Sequence, residues 1–151
     1  MKYTLREITA KDLNQIIDLR IDFLTEIAVT PLPSDIRINI DAYFKKHFYD
    51  GSCFGLVAEI EGKIIAKGLI CVFEVLPDEF CPTGRLGKLY SIYTIPEFRG
   101  QGIMKELIEG LIRLSESKGV TNLYLTAEEK AISLYQRLGF ELLNNEMKLR
   151  K

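Results

Sequence analysis

The 151-residue chain has one histidine, His47, and three cysteines, Cys53, Cys71 and Cys81. A single imidazole excludes a histidine-rich metal site. An odd number of cysteines with no Cys-x-x-Cys pair indicates neither a disulfide framework nor a zinc site. No metal is therefore expected, and a reducing cytoplasm is the expected location. No apolar run approaches the roughly 18 residues of a membrane span, and the start, MKYTLREITAKD, lacks the apolar core of a signal peptide. Charge of either sign is not in excess: the net value is −1, so no basic field announces a nucleic acid. Neither a membrane nor a nucleic acid is an expected partner. What remains, 47% hydrophobic and 27% charged residues, is the composition of a globular protein, here one domain over 1–151 with a sizeable core.

YTLREI (3–8) alternates like a strand. Thr9 opens T-x-x-D, a cap-like start for a helix over roughly 11–27, whose Leu13, Ile16, Ile17, Leu24 and Ile27 recur at helical spacing. Arg20 falls on that apolar stripe; the expectation is a side chain that runs along apolar surface and keeps its charge in water, with the binding of an anionic substrate group as the alternative. Two prolines in AVTPLPSD break the helix, and a second helix is predicted from Ile36 to Tyr49. CFGLVAEI (53–60) and KIIAKGLICVFE (63–74), separated by Glu61-Gly62, read as an antiparallel hairpin. A loop over 75–87 precedes a strand at 88–95. Gly102 opens the longest helix, with a stripe of Met104, Leu107, Ile108, Leu111 and Ile112, and Gly119 ends it. A strand at 121–125 leads to Thr126, which begins a capping box for a helix to about Leu138, with Gly139 just past its end. ELL and EMKL near the end suggest a final pair of strands. The predicted fold is α/β: a mixed central sheet of about six to seven strands flanked by about four helices.

PEFRGQGIMKELI (96–108) lies where a strand gives way to the long helix. Glycines at such a junction let backbone N–H groups converge on an anion, and the helix N-terminus adds partial positive charge. A Walker loop is excluded because Ile103-Met104, not Lys-Ser/Thr, follows Gly102. A dinucleotide fingerprint is excluded because Lys105 stands where its third glycine belongs. Arg99-Gly100-Gln101-Gly102-Ile103-Met104 after the strand and Pro96-Glu97-Phe98 resembles the coenzyme A loop of the GNAT acyltransferases, with Met104 where that family prefers glycine or alanine. LTAEEKAISLYQRLGFELL (125–143) is similar to the family's closing segment through Ala131, Leu134, Tyr135, Gly139 and Phe140. Glu128 stands roughly where many members have asparagine.

The resemblance implies a GNAT-like fold and an N-acetyltransferase that moves the acetyl group of acetyl-CoA to a primary amine of a small molecule or peptide, by direct attack in a ternary complex. It places the coenzyme pyrophosphate on the N–H groups of Gly100, Gln101, Gly102, Ile103 and Met104, beside Arg99. It gives the backbone of Ile92, Tyr93 and Thr94 to the pantetheine arm and thioester oxygen, and makes Tyr135 the acid that protonates the leaving thiolate. No carboxylate base stands on the strand at 88–95, which leaves a water chain or Glu128 as the alternatives for that role. A homodimer is among the assemblies this reading allows. Two alternatives accompany it: a non-catalytic module that binds acyl-CoA as a sensor or partner, and a hydrolase using Cys53 in Gly-x-Cys-x-Gly with His47. Cys53 precedes a strand rather than a helix, so a buried apolar cysteine is the expectation there.

Overall fold

The computed structural model describes residues 2–143 and 145–150. Along the chain β1 (Thr4–Glu7) is followed by α1 (Leu13–Ile27), α2 (Ile36–His47), β2 (Cys53–Ile60), β3 (Lys63–Glu74) and β4 (Arg85–Thr94). Then come α3 (Ile103–Ser117), β5 (Asn122–Tyr124) and α4 (Ile132–Arg137). The strands form one sheet in the order β1-β2-β3-β4-β5, antiparallel except for the parallel β4–β5 pair. That parallel pair is joined through α3, as a crossover requires, whereas β1 and β2, joined through α1 and α2, pair antiparallel.

Glu61 and Gly62 close the β2–β3 hairpin, both at positive φ (48° and 82°), the geometry a two-residue turn needs to follow strand twist. β3 lies in the middle of the sheet and is buried over eight consecutive residues, because helices cover both of its faces. On one face α3 buries Ile103, Leu107, Ile108 and Leu111. This stripe takes in Ile103, whereas Met104 and Ile112 are only partly buried. Three glycines allow the close approach. A Cβ at Gly110 would lie 2.7 Å from Leu56 Cδ1, and one at Gly68 would lie 2.7 Å from the side chains of Ile92 and Leu111. A Cβ at Gly55 would collide with the Gly68 carbonyl oxygen. The opposite face carries Lys67, Leu69, Cys71 and Phe73, which alternate with Gly68 and its neighbours; α1 and α2 pack there.

The sheet has five strands among the described residues, not six to seven. Glu141–Leu143 and the stretch 145–150 form no strand, and Asn144 lies outside the described residues. Leu142, Leu143, Met147 and Leu149 are all more than half exposed, so their short alternation meets no face on which to bury. The helix predicted from Thr126 begins instead with a 3-10 turn at Glu129, behind Glu128. Its C-terminal end follows expectation. Gly139 has φ 102°, its N–H donates to the Gln136 carbonyl (3.1 Å), and the Phe140 N–H donates to the Tyr135 carbonyl (3.0 Å). The Phe140 ring then meets the Tyr135 ring edge-on at 5.8 Å, the apolar contact that accompanies this type of helix end.

Candidate functional site

A cavity of about 620 Å³ runs between the end of β4, the start of α3 and α4. Its floor is the segment 99–105. Gly100 and Gly102 both adopt the left-handed conformation (φ 79° and 80°) with open space where a Cβ would stand, and Gly102 caps α3. The N–H groups of Gly100 through Lys105 have no acceptor among the described residues. Unsatisfied donors at the positive end of a 15-residue helix form a ready anion cradle. Met104 lines the same cavity. Helical side chains tilt toward the helix N-terminus, which directs Met104 back over the cradle.

Arg99 is engaged from two sides. Its Nε donates to the Thr94 carbonyl (2.8 Å), and its two terminal nitrogens hold Glu26 at 2.9 and 3.0 Å. The guanidinium also lies 5.2 Å from the Tyr93 ring centre. Glu26, at the end of α1, thus brings a carboxylate to the edge of the cradle, and its hydrogen bonds from Arg99 lower its pKa.

The β4 ladder breaks one step before the place expected. Tyr93 and Thr94 keep their partners Lys67 and Ala66, but Ser91 and Ile92 have none, and Gly68 is skipped opposite them. Ser91 adopts φ 57°, a left-handed conformation that costs a non-glycine residue about 1–3 kcal/mol. Lys67 supports it from beneath. The lysine is wholly buried, and its Nζ donates to the Ser91 carbonyl (2.8 Å) and contacts the Ser91 hydroxyl. Burial, and secondarily the charge of Arg20, push Lys67 well below the ordinary lysine range, which favours the neutral amine. Sequence reasoning missed both residues. A lysine within a strand reads as solvent-facing, and a serine carries no mark of positive φ.

Tyr135 is 7% exposed and lines the large cavity together with Ile92, Tyr93, Thr94, Gly102 and Ile103. Gln101 belongs to the cradle segment but does not line the cavity. The Tyr135 hydroxyl has no hydrogen-bond partner among the described residues. Burial, then the nearby Glu128 carboxylate, raise its pKa and keep the phenol protonated.

These features can be set beside known proteins. Residues 14–140 match the description "Acetyltransferase (GNAT) family". The chain belongs to that family. Among curated relatives, glucosamine 6-phosphate N-acetyltransferase of Trypanosoma brucei brucei is 33% identical over 89 residues, 58% of this chain and 58% of that protein. N-acetyltransferase family 8 member 2 of Rattus norvegicus is 32% identical over 114 residues, 73% of this chain and 46% of that protein. The chain therefore spans well under two thirds of the length of these relatives. A predicted acetyltransferase from Clostridium acetobutylicum, solved with acetyl-CoA, shares the fold with a TM-score of 0.91. It is 22% identical, and the match covers 99% of this chain and 96% of that one.

Within this GNAT chain the cysteine alternative finds no support. Cys53 is 1% exposed, its Sγ sits 3.9 Å from Cys71 Sγ, and His47 Nδ1 pairs with Ser52 Oγ at 2.7 Å instead. Hydrogen bonding to Cys71 and burial push the Cys53 thiol far above its ordinary range, the reverse of an activated nucleophile. Arg20 is half-buried along apolar surface. It lines a second cavity, against Tyr43, Cys71 and Tyr90, where burial lowers its pKa.

Proposed function

We propose that the protein is an acetyl-CoA-dependent N-acetyltransferase acting on a primary amine in a ternary complex. The carrying observation is the set of unsatisfied backbone donors from Gly100 to Lys105, which opens into the same cavity as the unladdered Ser91–Ile92 segment and Tyr135. Acetyl-CoA supplies an acetyl thioester, whose carbonyl carbon forms the new C–N bond as its C–S bond breaks.

The residues divide the work as follows. Gly100, Gln101, Gly102, Ile103 and Met104 hold the pyrophosphate on backbone N–H groups, and Arg99 adds a guanidinium at the rim. The unpaired backbone of Ser91 and Ile92, with Tyr93 and Thr94 continuing the strand, receives the pantetheine arm and the thioester oxygen. An oriented donor at that oxygen contributes about 2.7–4 kcal/mol to the rate. Tyr135, held protonated by its burial, gives its proton to the departing sulfur, and water in the open cavity takes up the proton shed by the nitrogen and returns one to the phenolate. A reducing compartment suits the three free thiols.

The test combines calorimetry with acetyl-CoA and a free-thiol release assay over a broad panel of primary amines. Binding together with thiol release is expected. Binding without release for any amine would favour a coenzyme-binding module instead. Tyr135→Phe should lower kcat by about 10²–10⁴ while leaving acetyl-CoA affinity unchanged. Turnover within about threefold of wild type would remove Tyr135 from the acid role.

A further inference from the structure

The smaller cavity measures about 220 Å³ and meets the larger one at Ser91, the one residue lining both. It therefore approaches the place of acyl transfer from the α1–α2 side. Its walls are apolar and aromatic (Ile40, Tyr43, Phe44, Phe73 and Tyr90 among them), and Arg20 is the one charged side chain lining it. Arg6, Arg37 and Arg99 each hold a carboxylate, but Arg20 makes no hydrogen bond or ion pair with any described residue. Its nearest protein contact of note is the Phe23 ring, 5.8 Å from the guanidinium carbon. The ionisable groups around it are Tyr43, Cys71, Tyr90 and Lys67, none of them a carboxylate. A half-buried guanidinium with no carboxylate beside it is costly. A planar fork aimed into a cavity matches a carboxylate or phosphate in two-pronged fashion.

We propose that the small cavity is the acceptor site and selects amines that also carry a carboxylate or phosphate, with Arg20 holding the anion and the amine directed to Ser91. The proposal rests on the transferase reading above and narrows its substrate class. At about 30 Å³ per water the cavity has room for about seven waters, a volume suited to an acceptor of amino-acid size. The aromatic walls accept an apolar or aromatic body between the two polar ends.

Matched acceptors test it, with thiol release as the readout: phenylalanine against phenethylamine, and O-phosphoethanolamine against ethanolamine, within the broad amine panel. Wild type should favour the anionic member of at least one pair by about tenfold to a hundredfold in kcat/KM, the range of one or two charge-assisted hydrogen bonds. Arg20→Gln should abolish that preference by slowing the anionic acceptor alone, with acetyl-CoA affinity unchanged by calorimetry. Arg20→Lys, which keeps the charge without the fork, should retain a weakened preference. Neutral amines used as well as their anionic partners by wild type, or a preference that survives Arg20→Gln, would overturn the proposal and leave the transferase standing. Silence from every amine, with acetyl-CoA still bound, would overturn both.

Discussion

Replacing Lys67 with methionine separates two contributions of one buried side chain. Methionine has similar length and bulk but removes the donor to the Ser91 carbonyl, and an acceptor left unpaired in the interior costs about 1–3 kcal/mol at any pH. The second contribution depends on pH. Burial, then Arg20, lower the pKa of Lys67 in the folded chain, so the unfolded chain binds a proton that the fold does not. Wild-type stability must therefore rise with pH through the interval between the folded value and the unfolded value of about 10.4. One proton gives a slope of about 1.4 kcal/mol per pH unit. Urea unfolding of both proteins at intervals from pH 7.5 to 9.5 reads this directly, because titrations shared by the two chains cancel in the difference. Wild type should gain steadily on Lys67→Met as pH rises across that range, at no more than that slope. The variant's disadvantage is thus smallest near neutrality and grows as the medium becomes basic. Parallel curves, within about 0.5 kcal/mol, would mean that Lys67 is charged in the fold and would refute the neutral-amine clamp beneath Ser91. The same variant should lose kcat, since the Ser91 turn loses its support.

Two further perturbations address the cradle. Glu26→Gln frees Arg99 and removes a negative charge beside the phosphates. The pair is exposed at 43% on each side, so a gain of no more than about 1 kcal/mol, up to about fivefold in acetyl-CoA affinity, is expected at low salt. The gain should shrink as ionic strength rises; a weaker-binding variant in calorimetry would instead make Glu26 a contributor to the coenzyme site. Met104→Ala should tighten acetyl-CoA by about 1 kcal/mol, about fivefold, if the thioether crowds the first turn of α3. A looser complex would show that Met104 touches the coenzyme rather than obstructing it.

The hairpin of β2 and β3 was legible to the residue because its alternation and its Glu61-Gly62 turn act locally. So was the glycine-rich entry to α3, where two left-handed residues are needed and two glycines stand. β4 starts at Arg85, earlier than its pattern suggests. Arg85–Gly87 pairs with Val72–Glu74, and the ladder overrides a stretch that reads as loop. The terminal strands were misread for the opposite reason: a short alternation suffices for strand propensity but not for pairing. Of the candidate site, the segments at 99–104 and 131–140 carry recognisable residue types. The Ser91 turn and its lysine do not, because both depend on register across three strands. Arg20 was visible as an anomaly on an apolar stripe, yet its missing counter-ion is a property of the tertiary structure.

Gly55, Gly68 and Gly110 line neither cavity, yet they set how closely α3 sits on the sheet and how β2 and β3 meet beside the Ser91 turn. Evolution of a new acceptor preference can thus proceed through the walls around Arg20 while these three positions stay closed to change. The chain separates what can drift from what cannot. The immovable part is made of hydrogen atoms where side chains would be, and a survey of variants confined to the residues that touch ligands would pass over it.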